Sequence, residues 1–182
     1  SLPSRYGIGK MGQAAFTFVD FLQEAGVRCW QILPLSPTSY GDSPYQSFSV
    51  FAGNPYFIDF DLLTEAGLLE RAAYDSLVWE NQPRLVDYEI QYEQCFPVLR
   101  KAYANFRPTA AYRAFTEENQ AWLPDYALFM ALKAAHGGKP WMEWEPALAM
   151  GEPEALAEAR INLAEDIGFY SWVQFAFYEQ WD

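Results

Sequence analysis

The sequence predicts an α/β fold, the N-terminal part of a (β/α)8 barrel with a large, mostly helical insertion. Three observations carry that expectation. An amphipathic helix runs straight into a short apolar strand, a long aromatic loop follows the strand, and helical patterns fill the rest of the 182 residues. A complete barrel of this kind takes about 250 residues. The chain is therefore read as a fragment with an incomplete barrel, divided into residues 1–56, the start of the barrel with its long aromatic loop, and residues 57–182, the mostly helical remainder.

The opening "SLPSRYGIGKMG" is loop by its Gly, Pro and Ser content. In "GQAAFTFVDFLQEAG", Ala15, Phe18, Val19, Leu22 and Ala25 fall on one helical face, expected to be core, and Gly26 is placed to end the helix. "VRCWQILPL" is an apolar run with β-branched and aromatic residues, closed by Pro34, and reads as a buried strand. Helix then strand is half of a β/α repeat. Beyond Asn54 helices follow: "DLLTEAGLL", then "DYEIQYEQCFPVLRKAYANF" interrupted by Pro97, then "AAYRAFTEEN". "LPDYALFMALKAAHGG" has Pro124 in its first turn and a Gly pair after its end. "WMEWEP" reads as loop. Helices are expected again over residues 152–163 and about 168–181, the last apolar widely enough to be covered on several sides.

Composition excludes several function classes. The net charge of −12 opposes a nucleic-acid partner. The longest apolar runs, such as residues 127–132, fall far short of the ~20 residues that cross a bilayer, and no membrane partner is expected. Cys29 and Cys95 lack metal-type spacing and are expected to be reduced, buried thiols, which fits a cytoplasmic protein. No phosphate loop and no His/Cys cluster calls for a cofactor or a metal. The unusual feature is the aromatic load of seven Trp, twelve Tyr and fourteen Phe. Such side chains suit a core, an interface, or the stacking of sugar rings.

Residues 36–56, "SPTSYGDSPYQSFSVFAGNPY", make a loop far longer than a connector needs. Asp-Ser-Pro starts turns readily, so "GDSPYQ" is either a turn or a ligand-contacting rim at the end of a β/α strand. The aromatics Tyr40, Tyr45, Phe48, Phe51 and Tyr56 would be poor choices for a loop that faces only water.

The succession "SLPSRYGIGKMG", "FVDFLQEAG", "WQILPLSPTSYGDSPYQSFSVFAGNPYFID", "VDYE" and "DYALFMALKAAHGGKPWMEW" resembles the N-terminal part of the amylomaltases, the 4-α-glucanotransferases also called disproportionating enzymes. The resemblance runs over essentially the whole chain. It implies a TIM barrel with helical insertions, acting on α-1,4-glucans and maltooligosaccharides by retaining transglycosylation, in which one carboxylate attacks the anomeric carbon and a carboxylic acid protonates the leaving oxygen. By the resemblance, Tyr45 and Ser43 are substrate-binding residues of the cleft, and Asp42 and Gln46 shape the same loop. Tyr40 and Tyr92 match two tyrosines of a second glucan site. Trp30 and Gln31 are read as packing in a barrel core. The remainder of the parent barrel is the implied partner.

Departures from the family pattern limit these expectations. The family's nucleophile is an Asp in an Arg-x-Asp-His context, whereas the one histidine here, His136, follows Ala-Ala and reads as a cation at a helix C-terminus. "AEDIG", residues 164–168, imitates the context of the general acid, but follows an Ala/Glu/Leu helix, which argues against Glu165. No catalytic residue is assigned, and the isolated chain is expected to be inert. A non-catalytic maltooligosaccharide-binding or interaction module is the alternative, and a purely structural helical domain a third reading. An unpaired strand and an uncovered last helix further predict poor solubility or association.

Overall fold

The computed structural model describes residues 2–82 and 84–182, with the side chain of Tyr40 outside that description. Among the described residues the regular backbone is helical: α1 (Gln13–Glu24), α2 (Phe60–Glu65), α3 (Tyr88–Asn105), α4 (Ala110–Glu118), α5 (Leu123–Ala135), α6 (Pro146–Ala149), α7 (Pro153–Asn162) and α8 (Ala164–Trp181). Short 3₁₀ turns at Tyr40–Asp42, Pro55–Phe57, Arg71–Ala73 and Trp141–Glu143 punctuate the connections.

The α/β expectation is overturned. Among the described residues there is no sheet, and the one β feature is an isolated antiparallel bridge between Thr38 and Ser47. Residues 27–35, expected as a buried strand, form none, because a strand exists only through a ladder to a neighbour and no neighbour runs alongside among the described residues. Val27, Trp30, Ile32 and Leu33 are exposed, as is Cys29. Gln31 is exposed as well, so neither it nor Trp30 packs in a barrel core. The expected core face of α1 is likewise not core. No residue of that helix is buried, and Phe18 meets Trp30 edge-on at 4.9 Å on the open surface.

The chain divides into two units, Ser1–Arg107 with Ala176–Asp182, and Pro108–Phe175. In the first, Tyr6, Phe60, Tyr74 and Trp79 form a buried aromatic cluster, with Tyr6 5.4 Å from Phe60 and 5.6 Å from Tyr74 in edge geometry. Cys95, Val98, Leu99 and Ala102 on one face of α3 are buried. The amine of Lys10 is buried too, donating to the Tyr56 carbonyl at 2.7 Å and lying 4.2 Å over the Phe60 ring. Burial holds its pKa below the ordinary lysine value. Side-chain caps fix the helix starts: Asp59 accepts from Leu62 N–H and Asp87 from Ile90 N–H. At the chain's end Gln180 pairs with both backbone groups of Asp59, at 2.7 and 3.0 Å.

In the second unit, Leu128 and Leu132 of α5 pack with Trp144 and Ala159, backed by Leu148 and Leu156. Thr109 caps α4 by accepting from Tyr112 N–H. Tyr112 and Phe115 of α4 meet Phe175 at 5.4 and 5.7 Å. Helix α5 ends where Gly137 and Gly138 take positive φ.

Candidate functional site

The loop over residues 36–56 is held by its own short polar side chains. Ser39 N–H donates to Gln46 carbonyl at 3.1 Å beside the Thr38–Ser47 bridge, so the segment folds back on itself. At its tip Gly41 and Asp42 take positive φ, 77° and 52°, a conformation Asp tolerates better than most residues. The Thr38 hydroxyl donates to the Asp42 carboxylate at 3.2 Å, and Ser43 Oγ accepts from Tyr45 N–H at 3.3 Å. Ser47 and Ser49 make further local turns, and Asn54 N–H donates to the Leu35 carbonyl at 2.8 Å, closing the loop at its base.

This scaffold presents Tyr45 to solvent with 75% of its surface exposed. Gln46 beside it is exposed, whereas Asp42 and Ser43 are half-buried. Tyr92 lies on α3 at 61% exposure, its ring 5.9 Å from Phe96 in edge geometry. Phe96 in turn meets Tyr56 at 6.3 Å, and Tyr56 meets Tyr88 at 6.3 Å. Tyr88, Tyr92 and Phe96 recur at i, i+4 and i+8, so one face of α3 carries an aromatic row with Tyr56 packed against it. That row was not singled out from sequence, although the four-residue spacing is its signal.

Burial raises the pKa of Tyr88, and the Asp42 charge adds to it. Tyr56 is raised by burial first, then by Cys95 and Asp42. The structure sets Asp42 and Tyr88 on the lining of one cavity, while Tyr45 stands outward on the loop with no ring partner among the described residues. The side chain of Tyr40 lies outside the described residues.

A cavity of about 1060 Å³ opens in the same unit, lined by Thr38, Asp42, Tyr88, Trp30, Leu33 and Phe16 among others. Tyr45, Ser43, Gln46 and Tyr92 do not line it. Glu165 falls in the first turn of α8, exposed, where its charge complements the helix N-terminus. What the loop and row offer chemically is flat aromatic surface beside hydroxyl, amide and carboxylate groups.

Comparison with known proteins gives a consistent picture. The family model described as 4-alpha-glucanotransferase matches residues 1–182. A 4-alpha-glucanotransferase of Thermus thermophilus is 48% identical over 188 residues, an alignment that takes in 100% of this chain and 36% of that protein. One of Clostridium butyricum is 43% identical over 183 residues, covering 100% of this chain and 38% of the relative. Among solved structures, an amylomaltase from Streptococcus agalactiae in complex with acarbose superposes with a TM-score of 0.95 at 46% identity, over 100% of this chain and 37% of that one. The chain therefore spans little more than a third of the length of these relatives.

Proposed function

From the premise that this chain belongs to the 4-alpha-glucanotransferase family, we propose that residues 1–182 supply a non-catalytic, glucan-contacting surface of such a transferase. One observation carries the reading most of the way: Tyr45 is exposed on a loop whose backbone is pinned by hydrogen bonds on both sides of it. A large aromatic held out to water on an ordered support is an anchor awaiting a ligand face. The C–H face of a glucosyl ring fits it, and Ser43, Gln46 and Asp42 have hydroxyl, amide and carboxylate groups for sugar hydroxyls. Tyr92, stiffened by Phe96, would make a second contact on the same unit.

For the transferase as a whole we propose retaining transfer, in which a carboxylate captures the glucosyl unit and a sugar hydroxyl, rather than water, releases it. On this reading the two carboxylates belong to residues other than these, and the present chain holds the glucan in register. The family relation supports the substrate class, maltooligosaccharides being its soluble form.

Titration of the chain with maltotriose by calorimetry tests the surface. Saturable binding is expected, weakened about tenfold or more by Tyr45→Ala and by Tyr92→Ala. Affinity that is unchanged in both variants would overturn it. Incubation with maltotriose should yield neither glucose nor longer dextrins, and their appearance would show that the chain is not limited to contact.

A further inference from the structure

In the second unit a pocket of about 460 Å³ lies between α5, α7 and the turn at Trp141–Glu143. Its floor is the local core, Leu128, Leu132, Leu156 and Trp144. Its wall is Trp141, 51% exposed, whose indole has no ring contact and no hydrogen bond among the described residues. Its rim is Asp125 and Arg160, paired at 3.2 Å. That single bond leaves a carboxylate oxygen and several guanidinium N–H groups open.

The wall is pre-organised. Lys133 donates to the Gly138 carbonyl at 2.7 Å, Trp144 Nε1 donates to the Lys139 carbonyl at 3.2 Å, and the His136 ring bonds Glu145 at 2.6 Å. The segment that carries Trp141 is thereby tied to α5 at both ends, so ordering it costs a ligand little.

We propose that this pocket is a further glucan subsite, distinct from the loop and α3 surface, that takes one or two glucosyl units, with Trp141 stacking on the sugar's C–H face and Asp125 and Arg160 bonding adjacent hydroxyls. The volume falls within the roughly 300–1,000 Å³ of small-molecule sites. The rim selects the ligand's charge. An anion would meet Arg160 but be repelled by Asp125, and a cation the reverse, whereas a neutral polyol gives donors to one and acceptors to the other without breaking their pair. The choice of a glucan over other neutral polyols rests on the function proposed above.

The test is a titration of the 182-residue chain with maltotriose, followed by the indole N–H resonances, with the Trp141 signal assigned by its loss in Trp141→Phe. The Trp141 signal is expected to move saturably, and the movement to weaken about tenfold in Arg160→Met and Asp125→Asn while persisting in Tyr45→Ala and Tyr92→Ala. Circular dichroism confirms that each variant folds, and Trp141→Ala, on the surface, gives a second check through loss of one binding step in calorimetry. If Trp141 stays put while Tyr45→Ala and Tyr92→Ala lose affinity, the loop surface stands and this subsite falls. If Trp141 responds and the tyrosine variants bind as before, the subsite stands and the loop surface falls. A Trp141 signal that moves equally in the rim variants overturns the proposed recognition.

Discussion

A methyl group at position 7 has nowhere to go. Gly7 has φ of 71°, and a Cβ there would sit 2.1 Å from the Trp79 carbonyl and 2.8 Å from Gln91 Nε2. The same Gln91 amide donates to the Tyr6 carbonyl at 2.7 Å and is wholly buried, so it cannot swing away cheaply. Gly41 makes a useful contrast, with φ of 77° and nothing within 4 Å of the ideal Cβ. Gly41→Ala should cost only the left-handed backbone, about 1 kcal/mol. Gly7→Ala should lose that and also displace the Trp79 carbonyl and the Gln91 amide, about 3 kcal/mol or more in all. Urea unfolding of the two variants checks the ordering. Equal midpoints would show that the 7–79 approach relaxes freely.

At the scale of elements, Pro97 sits inside α3 rather than dividing it, on the exposed side of a helix that is continuous over Tyr88–Asn105. A proline in a helix interior forfeits one i→i−4 bond and crowds the preceding turn. Since little packs on it, Pro97→Ala should stabilise the chain by about 1–3 kcal/mol, seen as a higher urea midpoint at unchanged slope. The segment after α5 makes a second element-level prediction. His136 donates from Nδ1 to the Leu132 carbonyl at 2.7 Å and from Nε2 to Glu145 at 2.6 Å, with its ring stacked 5.0 Å from Trp144. The Glu145 carboxylate first, and the Leu132 carbonyl second, raise its pKa above the ordinary 6.5, while His136 lowers that of Glu145 below 4.5. Stability from the raised His136 is complete below pH 6.5 and fades as pH climbs through its folded value. That from Glu145 is complete above 4.5 and fades as pH drops through its lowered value. The tie is therefore fullest between those two pH values. An NMR titration should put the His136 midpoint above 6.5, with Glu145→Gln returning it toward 6.5. A wild-type midpoint at or below 6.5 would dismiss the tie. Most helices were legible because their signals are local: Pro124 opens α5, Gly137 and Gly138 close it, and the face of Tyr112 and Phe115 marks α4. The strand was not, because the apolar, β-branched texture of residues 27–35 records a capacity to pair, and pairing needs a second segment. In the site, composition exposed the loop and Tyr45. The Asp125–Arg160 rim, spanning 35 positions, exists only through the packing of α5 on α7.

For the whole molecule, net charge and exposed apolar surface pull in opposite directions. Phe16 and Val19 of α1 and Trp30, Ile32 and Leu33 of the following segment are all exposed and share the lining of the 1060 Å³ cavity. A contiguous exposed apolar surface of this kind drives association. Against it stands a net charge of −12, which makes copies repel at long range. Salt separates the two. Raising ionic strength from about 0.1 M to about 1 M shortens the screening length from roughly 10 Å to 3 Å, weakening repulsion while leaving burial of apolar surface intact. Sedimentation velocity should therefore show self-association that grows with protein concentration and with added sodium chloride, the reverse of what an ion-paired interface would do. Ile32→Lys with Leu33→Ser should suppress it at every salt concentration, since neither side chain belongs to the buried core and the fold should survive their loss. A wild-type chain that sediments as a monomer throughout would mean that this apolar surface is satisfied within one molecule.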